Sequence, residues 1–372
     1  METKIAIVGA GASGLLAAKK LSESADVHVT LFEKGKQVGA KLRASGGGRA
    51  NILNTDIRPC HYNRPDFMER LLARIGYAEV RDEFAAMGLR MSIDEEGRVY
   101  PATLYAPTVV NVLLEQLGSR VEVRCETPVR TLRQEDSRWR INDEPELFDR
   151  VILASGSPAG MIVKNQRGYN DYLTDLQIKR NPLIPSLTGF RMMAYPKLLF
   201  GCRVRANVRL LQHGRPVFEE FGEVIFKEDG ISGIVVLNCS AHFNRLASKE
   251  DCEVSIDLLT GDGDTQADRQ LREHGSLSGI LHPKLCELYA RQPFDLRDFR
   301  LKIAGTYGIE SAQVCSGGIC TEELTDRFEL KRYPGLYAIG EMVDVDGVCG
   351  GYNLFFAFAS ALAATAGRGF YA

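Results

Sequence analysis

The sequence predicts an α/β protein: a Rossmann-like dinucleotide-binding domain interrupted by an inserted β-rich domain that carries a small helical segment. Three observations predict it. The chain opens with an apolar strand, a glycine turn, an amphipathic helix and a second strand that ends in an acidic residue. It closes with a short apolar strand ending in Gly340 and Glu341, a glycine turn, and its most apolar helix-like run. Between about 182 and 310 the regular βα alternation is lost. The expected domains are therefore 1–181 with 311–372, and an insert over 182–310 with its helical piece at about 264–300.

The opening stretch, "KIAIVGAGASGLLAAKKLSESADVHVTLFEKG", places Gly9, Gly11 and Gly14 in G-x-G-x-x-G between a strand and a helix. In this context Gly9 permits a tight turn, Gly11 lets a diphosphate reach the backbone, and Gly14 lets the helix sit close on the sheet. The helix N-terminus offers free N–H groups and a partial positive charge. Glu33, at the end of the second strand, stands where a carboxylate accepts hydrogen bonds from a ribose.

The next segment, "GAKLRASGGGRANILN", has three successive glycines before Arg49 and Asn51 and reads as a loop passing close to a ligand. Helical periodicity follows in "PDFMERLLARIGYAEVRDEFAAMG" and in "PTVVNVLLEQLG". From Arg120 the pattern changes to short strands, "RVEVRC", "PVRTLRQ", "RWRIN" and "ELFDRVILASG", read as an antiparallel meander leading into a buried strand. Such a meander completes a dinucleotide-binding domain of the FAD type, with Val129 placed to touch an adenine through its backbone. In the insert, "FGEVIFKEDGISGIVVLNCS" reads as strand-rich around Gly230 and Gly233, and "GSLSGILHPKLCELYARQ" as helical. No second G-x-G-x-x-G is present, so no separate nicotinamide-binding domain is expected.

The closing stretch, "GVCGGYNLFFAFAS", puts Gly350, Gly351, Tyr352 and Asn353 at the mouth of the last helix. Bare N–H groups there suit negative charge, such as the pyrimidine end of a reduced flavin. Acidic residues at Glu341, Asp344 and Asp346 can accept hydrogen bonds from the hydroxyls of a ribityl chain.

Composition bounds the function class. The chain has 372 residues, is 45% hydrophobic and carries a formal charge of −2, which gives no electrostatic footprint for nucleic acid or an anionic membrane. The longest apolar run, Leu354 to Gly367, is short for a bilayer span. The start of the chain leaves no room for a secretory leader. A cytoplasmic location is expected, with reduced thiols, because the nine cysteines show neither a C-x-x-C pair nor metal-ligand spacing. No metal is expected.

In this order, "GAGASG", "SGGGRANILN", "SGGI" and "PGLYAIGEMVDVDGVCGGYNLFFAFAS" resemble the BaiN/YhiN-type family of NAD(P)/FAD-dependent oxidoreductases, the aminoacetone-oxidase-like flavoproteins. The resemblance implies a fold of the glutathione-reductase/succinate-dehydrogenase type and noncovalent FAD. It implies that FAD lies along Gly9, Gly11, Ala12, Ser13 and Gly14, then Glu33, Lys34 and Lys41. Gly48, Arg49, Asn51 and Val129 belong to the same expected surface, as do Ala154, Ser155 and Gly156 after the buried strand. Gly340, Glu341, Gly350, Gly351, Tyr352, Asn353 and Leu354 complete it. The chain departs from the family pattern at Ala50, where the family has cysteine, and at Cys315, where it has threonine. The segment "SPAGMIVKNQRGYNDY" stands where the family continues with glycines.

The expected activity is that of an FAD-dependent oxidoreductase that takes hydride from NADH or NADPH and passes it to a small organic acceptor. An oxidase using dioxygen, a flavin sensor without turnover, and an FAD-dependent tRNA-modifying enzyme are the alternatives. Tyr352 and Cys349 are the catalytic candidates, each weighed against a packing role, as is Cys315. His61, His242 and His282 are read as surface or capping residues. The partner is expected to be a small molecule; the sequence sets no oligomeric state.

Overall fold

A strand covered on both faces reads as a continuous apolar run, and the opening strand Thr3–Val8 is buried from Ile5 onward. It is the middle strand of a five-stranded parallel sheet. The order in space is Leu336–Ala338, Arg150–Leu153, Thr3–Val8, Val27–Phe32 and Val121–Arg124. All carboxyl ends therefore open on one side, where ligands bind in sheets of this kind. The computed structural model describes residues 2–160, 170–259 and 263–367. The segment 161–169, where the sequence leaves the family's glycine pattern, lies outside the described residues.

The helix Ala12–Ser22 buries Leu15, Leu16, Ala17, Ala18 and Leu21 and packs against the C-terminal helix Tyr352–Thr365. That last helix is buried almost all round, so its apolar composition is that of a core helix. Phe358 meets Phe84 edge to face at 4.7 Å. The helical run after residue 64 is two helices, Pro65–Leu72 and Tyr77–Ala86; the second begins where the Gly76 N–H donates to the Glu79 carboxylate at 2.8 Å.

One strand reading needs correction. "RVEVRC" is not part of the meander, because Val121–Arg124 pairs in parallel with Val29–Phe32 as the sheet's edge. None of its four residues is fully buried, as befits an edge strand that is partly solvated. The meander itself comprises Leu132–Glu135, Arg138–Ile141 and Leu147–Phe148.

The described chain divides into two compact units, one of residues 2–158, 170–183 and 316–367, the other of 159–160, 184–259 and 263–315. The second unit holds a closed barrel. Its strands run, in space, Phe190–Met192, Gly230–Ser232, Arg215–Phe226, Arg203–Gln212, Cys252–Asp257 and Phe299–Thr306. Here too a reading is corrected: "GIVVLNCS" is not strand but the start of a helix, Ile234–Arg245. Gly222 lets this helix approach the barrel, since a Cβ there would lie 3.1 Å from Val235 Cβ. Asn238 donates from the helix to the Glu220 carboxylate at 3.0 Å. The helical stretch of the insert consists of Gly263–His274 and Pro283–Arg291, after which strand Phe299–Thr306 begins.

Within the first unit, Asp344 ties four segments together. Its carboxylate is 2% exposed and accepts from the Arg64 guanidinium, from Asn63 at 3.1 Å, from Asn181 at 2.6 Å and from the Gly317 N–H at 3.0 Å. A buried carboxylate with every lone pair engaged is worth most when it is removed, because its donors are then stranded. Asp344→Ala is expected to destabilise this unit by roughly 3–5 kcal/mol. Urea unfolding followed by the fluorescence of Trp139, the single tryptophan and fully buried in the same unit, measures it.

Candidate functional site

The glycines of the first turn are required for different reasons. Gly9 has φ +108, and a Cβ there would fall 2.5 Å from the Ala154 carbonyl oxygen; at Gly14 it would fall 1.9 Å from the Gly9 carbonyl oxygen. Both are demanded by the protein's own packing. Gly11 is not: its φ is −85, and a Cβ built on it meets nothing within 4 Å. The space beside Gly11 lies at the start of a helix with no side-chain cap and no acidic residue in its first turn. Open room against unpaired, positively polarised N–H groups suits a diphosphate.

Glu33 stands at the end of the neighbouring strand. Its carboxylate accepts from the Ala10 N–H at 3.1 Å and the Gly35 N–H at 2.7 Å, which hold it at the rim of the same opening. The Thr127 N–H donates to the Glu33 carbonyl at 2.9 Å, tying the segment that leads to the half-buried Val129 to this rim. Burial pulls the Lys34 ammonium below its ordinary pKa, against the attraction of Glu33.

Residues after strand Arg150–Leu153 and the edge strand Leu336–Ala338 form a second cluster. Glu341 binds Lys41 Nζ at 2.7 Å and accepts from the Ser157 hydroxyl at 2.6 Å; Ser155 donates from its N–H and hydroxyl to Met342 Sδ at 3.2 and 3.1 Å. Gly156 and Gly340, both at φ +67, turn the chain beside them. Lys41, Ala154, Ser155, Gly156, Gly340 and Glu341 are thus brought together. Asp344 and Asp346 are buried instead, Asp346 accepting from the Ser316 hydroxyl at 2.5 Å, and are occupied by internal donors.

The third cluster is the turn Gly350–Gly351–Tyr352. The helix it opens has no side-chain cap and no acid in its first turn. Three side chains from one earlier stretch hold the turn's backbone. Asn51, its amide oriented to match its neighbours, donates to the Leu53 carbonyl at 3.0 Å and accepts from the Gly351 N–H at 3.2 Å. Asn54 donates to the Gly350 carbonyl and Tyr62 to the Tyr352 carbonyl, each at 3.1 Å. Asn353 accepts from the Gly347 N–H at 2.8 Å and donates to its carbonyl at 3.0 Å, so its side chain serves the loop. Gly46, Gly47 and Gly48 all have positive φ, and the exposed Arg49 lies over the Tyr100 ring at 5.5 Å. Ala50, at the family's cysteine position, is fully buried at φ +55.

Beside this turn stand two titratable rings. Tyr352 is 7% exposed and meets the His61 ring at 4.7 Å, with Asp56 and Arg58 on the far side of the imidazole. Burial, then the Asp56 carboxylate, push the Tyr352 phenol up to about 12; burial pulls the His61 imidazole down. His61 is therefore not a surface residue, and Asn54, Tyr62 and His61 are the neighbours that sequence reasoning missed. Asn54 and Tyr62 act on backbone atoms, which leaves no spacing signature. The other catalytic candidate, Cys349, is half-buried immediately before the turn. Cys315 packs in the second unit with Ala159 and Ala312. None of the nine cysteines is in a disulfide. Among the described residues no cluster of metal-ligating side chains occurs and no helix is long and apolar enough to cross a membrane.

The open cradle at Gly11, the carboxylate at Glu33 and the uncapped glycine turn fit FAD. Comparison with known proteins agrees. A family model described as HI0933-like protein Rossmann domain matches residues 3–367. The 3-dehydro-bile acid delta(4,6)-reductase of Clostridium scindens is 30% identical, over 96% of this chain and 97% of that protein. Ribosomal RNA dihydrouridine synthases of Haemophilus influenzae and Escherichia coli are each 28% identical, over 96% of either chain. Both kinds of relative span nearly the whole sequence, barrel included.

The contrast between Gly11 and Gly14 is testable. Gly11→Ala is expected to leave the apoprotein's stability within about 1 kcal/mol of the parent, since its backbone angles suit alanine. It should weaken FAD binding by about tenfold or more, the equivalent of 1.4 kcal/mol. Gly14→Ala should lose stability and binding together, as read by thermal melting and by fluorescence titration with FAD.

Proposed function

Since this chain belongs to the HI0933-like Rossmann family and is a flavin-dependent oxidoreductase, we propose that it uses NADH or NADPH to reduce a carbon–carbon double bond conjugated to a carbonyl in a small organic acceptor. The observation that carries the cofactor half of this reading is the empty room beside Gly11 at a bare helix N-terminus. The acceptor half is supported by the relatives' names. A 3-dehydro-bile acid with Δ4,6 unsaturation and a uridine base have in common an alkene polarised by a neighbouring carbonyl.

FAD, when bound, supplies the hydride chemistry; the chain supplies placement and electrostatics. In this reading the first turn of Ala12–Ser22 holds the diphosphate, and Glu33 accepts from a ribose. Glu341, anchored by Lys41 and Ser157, accepts from the ribityl hydroxyls. The N–H groups in the first turn of Tyr352–Thr365 stabilise negative charge where the reduced ring develops it.

A small acceptor is preferred to RNA because arginines of the barrel unit are already paired. Arg203 faces Glu223 at 3.7 Å, Arg209 faces Glu219 at 3.0 Å, Arg297 faces Asp257 at 2.9 Å and Arg300 faces Asp298 at 2.7 Å. With a net charge of −2, such a surface has little to offer a phosphate backbone. Anaerobic addition of NADH or NADPH to the yellow protein is expected to bleach the flavin band. A 4,6-dien-3-one steroid should then restore the band and a uridine-containing RNA oligonucleotide should not. Restoration by RNA alone would transfer the assignment to nucleic-acid modification, and failure of both nicotinamides to bleach the band would end the reductase reading.

A further inference from the structure

His61 is held in a place that the cofactor reading leaves unused. Its backbone carbonyl accepts from the Val348 N–H at 3.0 Å, and the next residue, Tyr62, donates its hydroxyl to the Tyr352 carbonyl. The backbone that carries the imidazole is therefore tied both to the loop leading into the glycine turn and to the turn itself. Its ring lies edge-on against the Tyr352 ring, with 4.7 Å between centroids and an interplanar angle of 62°.

The two ring nitrogens face different surroundings. Nε2 lies 3.4 Å from the Arg58 guanidinium and 3.8 Å from the Asp56 carboxylate. Nδ1 has no surface and no hydrogen-bond partner. An imidazolium is a donor at both nitrogens. Protonated in place, this ring would turn an N–H at Nε2 toward the donor N–H of Arg58, where the neutral ring can accept, and set a second positive charge beside that guanidinium. The half-exposed Asp56, at 3.8 Å, offsets that charge, yet burial outweighs it and the imidazole stays below its ordinary value. The titratable and charged groups around the pair are Asp56, Arg58 and the Cys60 thiol on its own segment, and Arg98 facing the Tyr352 phenol.

We propose that His61 is a positioning residue for the FAD-binding turn, that it acts through the Tyr352 ring, and that it does so only as the neutral imidazole. This rests on the reading that the turn Gly350–Gly351–Tyr352 holds FAD. Protonation drives the ring out of its slot, Tyr352 loses its lateral support, and the helix N-terminus no longer presents its N–H groups in one fixed geometry. Cofactor affinity then depends on pH in a definite direction. Burial sets the folded pKa below the ordinary value of about 6.5. The contribution of the neutral ring is therefore complete above that value and is lost as pH falls through the lowered one.

The test is FAD affinity, measured by fluorescence quenching with the full chain, so that turnover does not enter. Between about pH 8 and pH 5.5 the parent protein should lose roughly fivefold to tenfold in affinity. His61→Phe keeps an aromatic edge against Tyr352 and cannot take a proton; it should match the parent at the higher pH and stay flat. His61→Ala should bind weakly at both. A His61→Phe profile that follows the parent's, or a His61→Ala affinity equal to the parent's, would overturn the inference while leaving the cofactor site standing. A parent protein that takes up no FAD at the higher pH would overturn the cofactor reading and this inference with it.

Discussion

Three hydrogen bonds from the stretch 51–62 to the backbone of Gly350–Gly351–Tyr352 are the constraint on which the site depends. A helix N-terminus without a capping side chain forgoes about 1 kcal/mol, and one that begins in two glycines has additional freedom to lose. Each bond made by Asn51, Asn54 and Tyr62 returns about 1 kcal/mol net, enough to keep the turn in one conformation; the Gly351 N–H is taken by Asn51, and the N–H groups of the helix's first turn are the ones left to a ligand. The same staple dictates Gly351, because a Cβ there would lie 2.2 Å from the Leu53 carbonyl oxygen. Residues three hundred positions apart thus behave as one loop. It is reached only because the strand Leu336–Ala338 returns beside Arg150–Leu153 and aims the chain back at the sheet's open edge.

What was legible in the sequence follows from this geometry. The strand, turn and helix at the start could be read because steric demand at Gly9 and Gly14 is local, and because strands buried on both faces are apolar throughout. The glycine turn at the end was visible for the same reason. The stapling side chains were not, since an asparagine or tyrosine that bonds a distant carbonyl follows no periodicity. "VEVR" misled because its apolar and charged residues alternate in sequence as in an antiparallel strand, although in the structure it is a parallel edge strand with both Glu122 and Val123 exposed. "GIVVLNCS" misled because β-branched residues favour strands unless burial overrides propensity. Here Val235, Val236 and Cys239 are fully buried on a helix.

The two units have separate cores, one around the parallel sheet and one inside the barrel. The residues that fit FAD all belong to the first. Substitutions on the barrel can therefore alter its surface without reaching the glycine turns. That is consistent with relatives of nearly equal similarity whose names assign them a bile acid in one case and a ribosomal RNA in the others.

The protonation state of Tyr352 is set by its place beside the turn. A general acid or base is useful when its pKa keeps it in the required form at the working pH. Burial and the neighbouring Asp56 carboxylate place the phenol at about 12, so it is protonated throughout the physiological range. Forming the phenolate would go against both burial and the Asp56 carboxylate, so beside the turn this phenol is a hydrogen-bond donor. The neutral His61 beside it sits in the same low-dielectric setting and does not reverse the order of proton affinities. A helix N-terminus that suits negative charge and a neutral phenol packed beside it are two consequences of the same burial, and in the reductase reading proposed above the chain needs no more at this turn than to keep both in place.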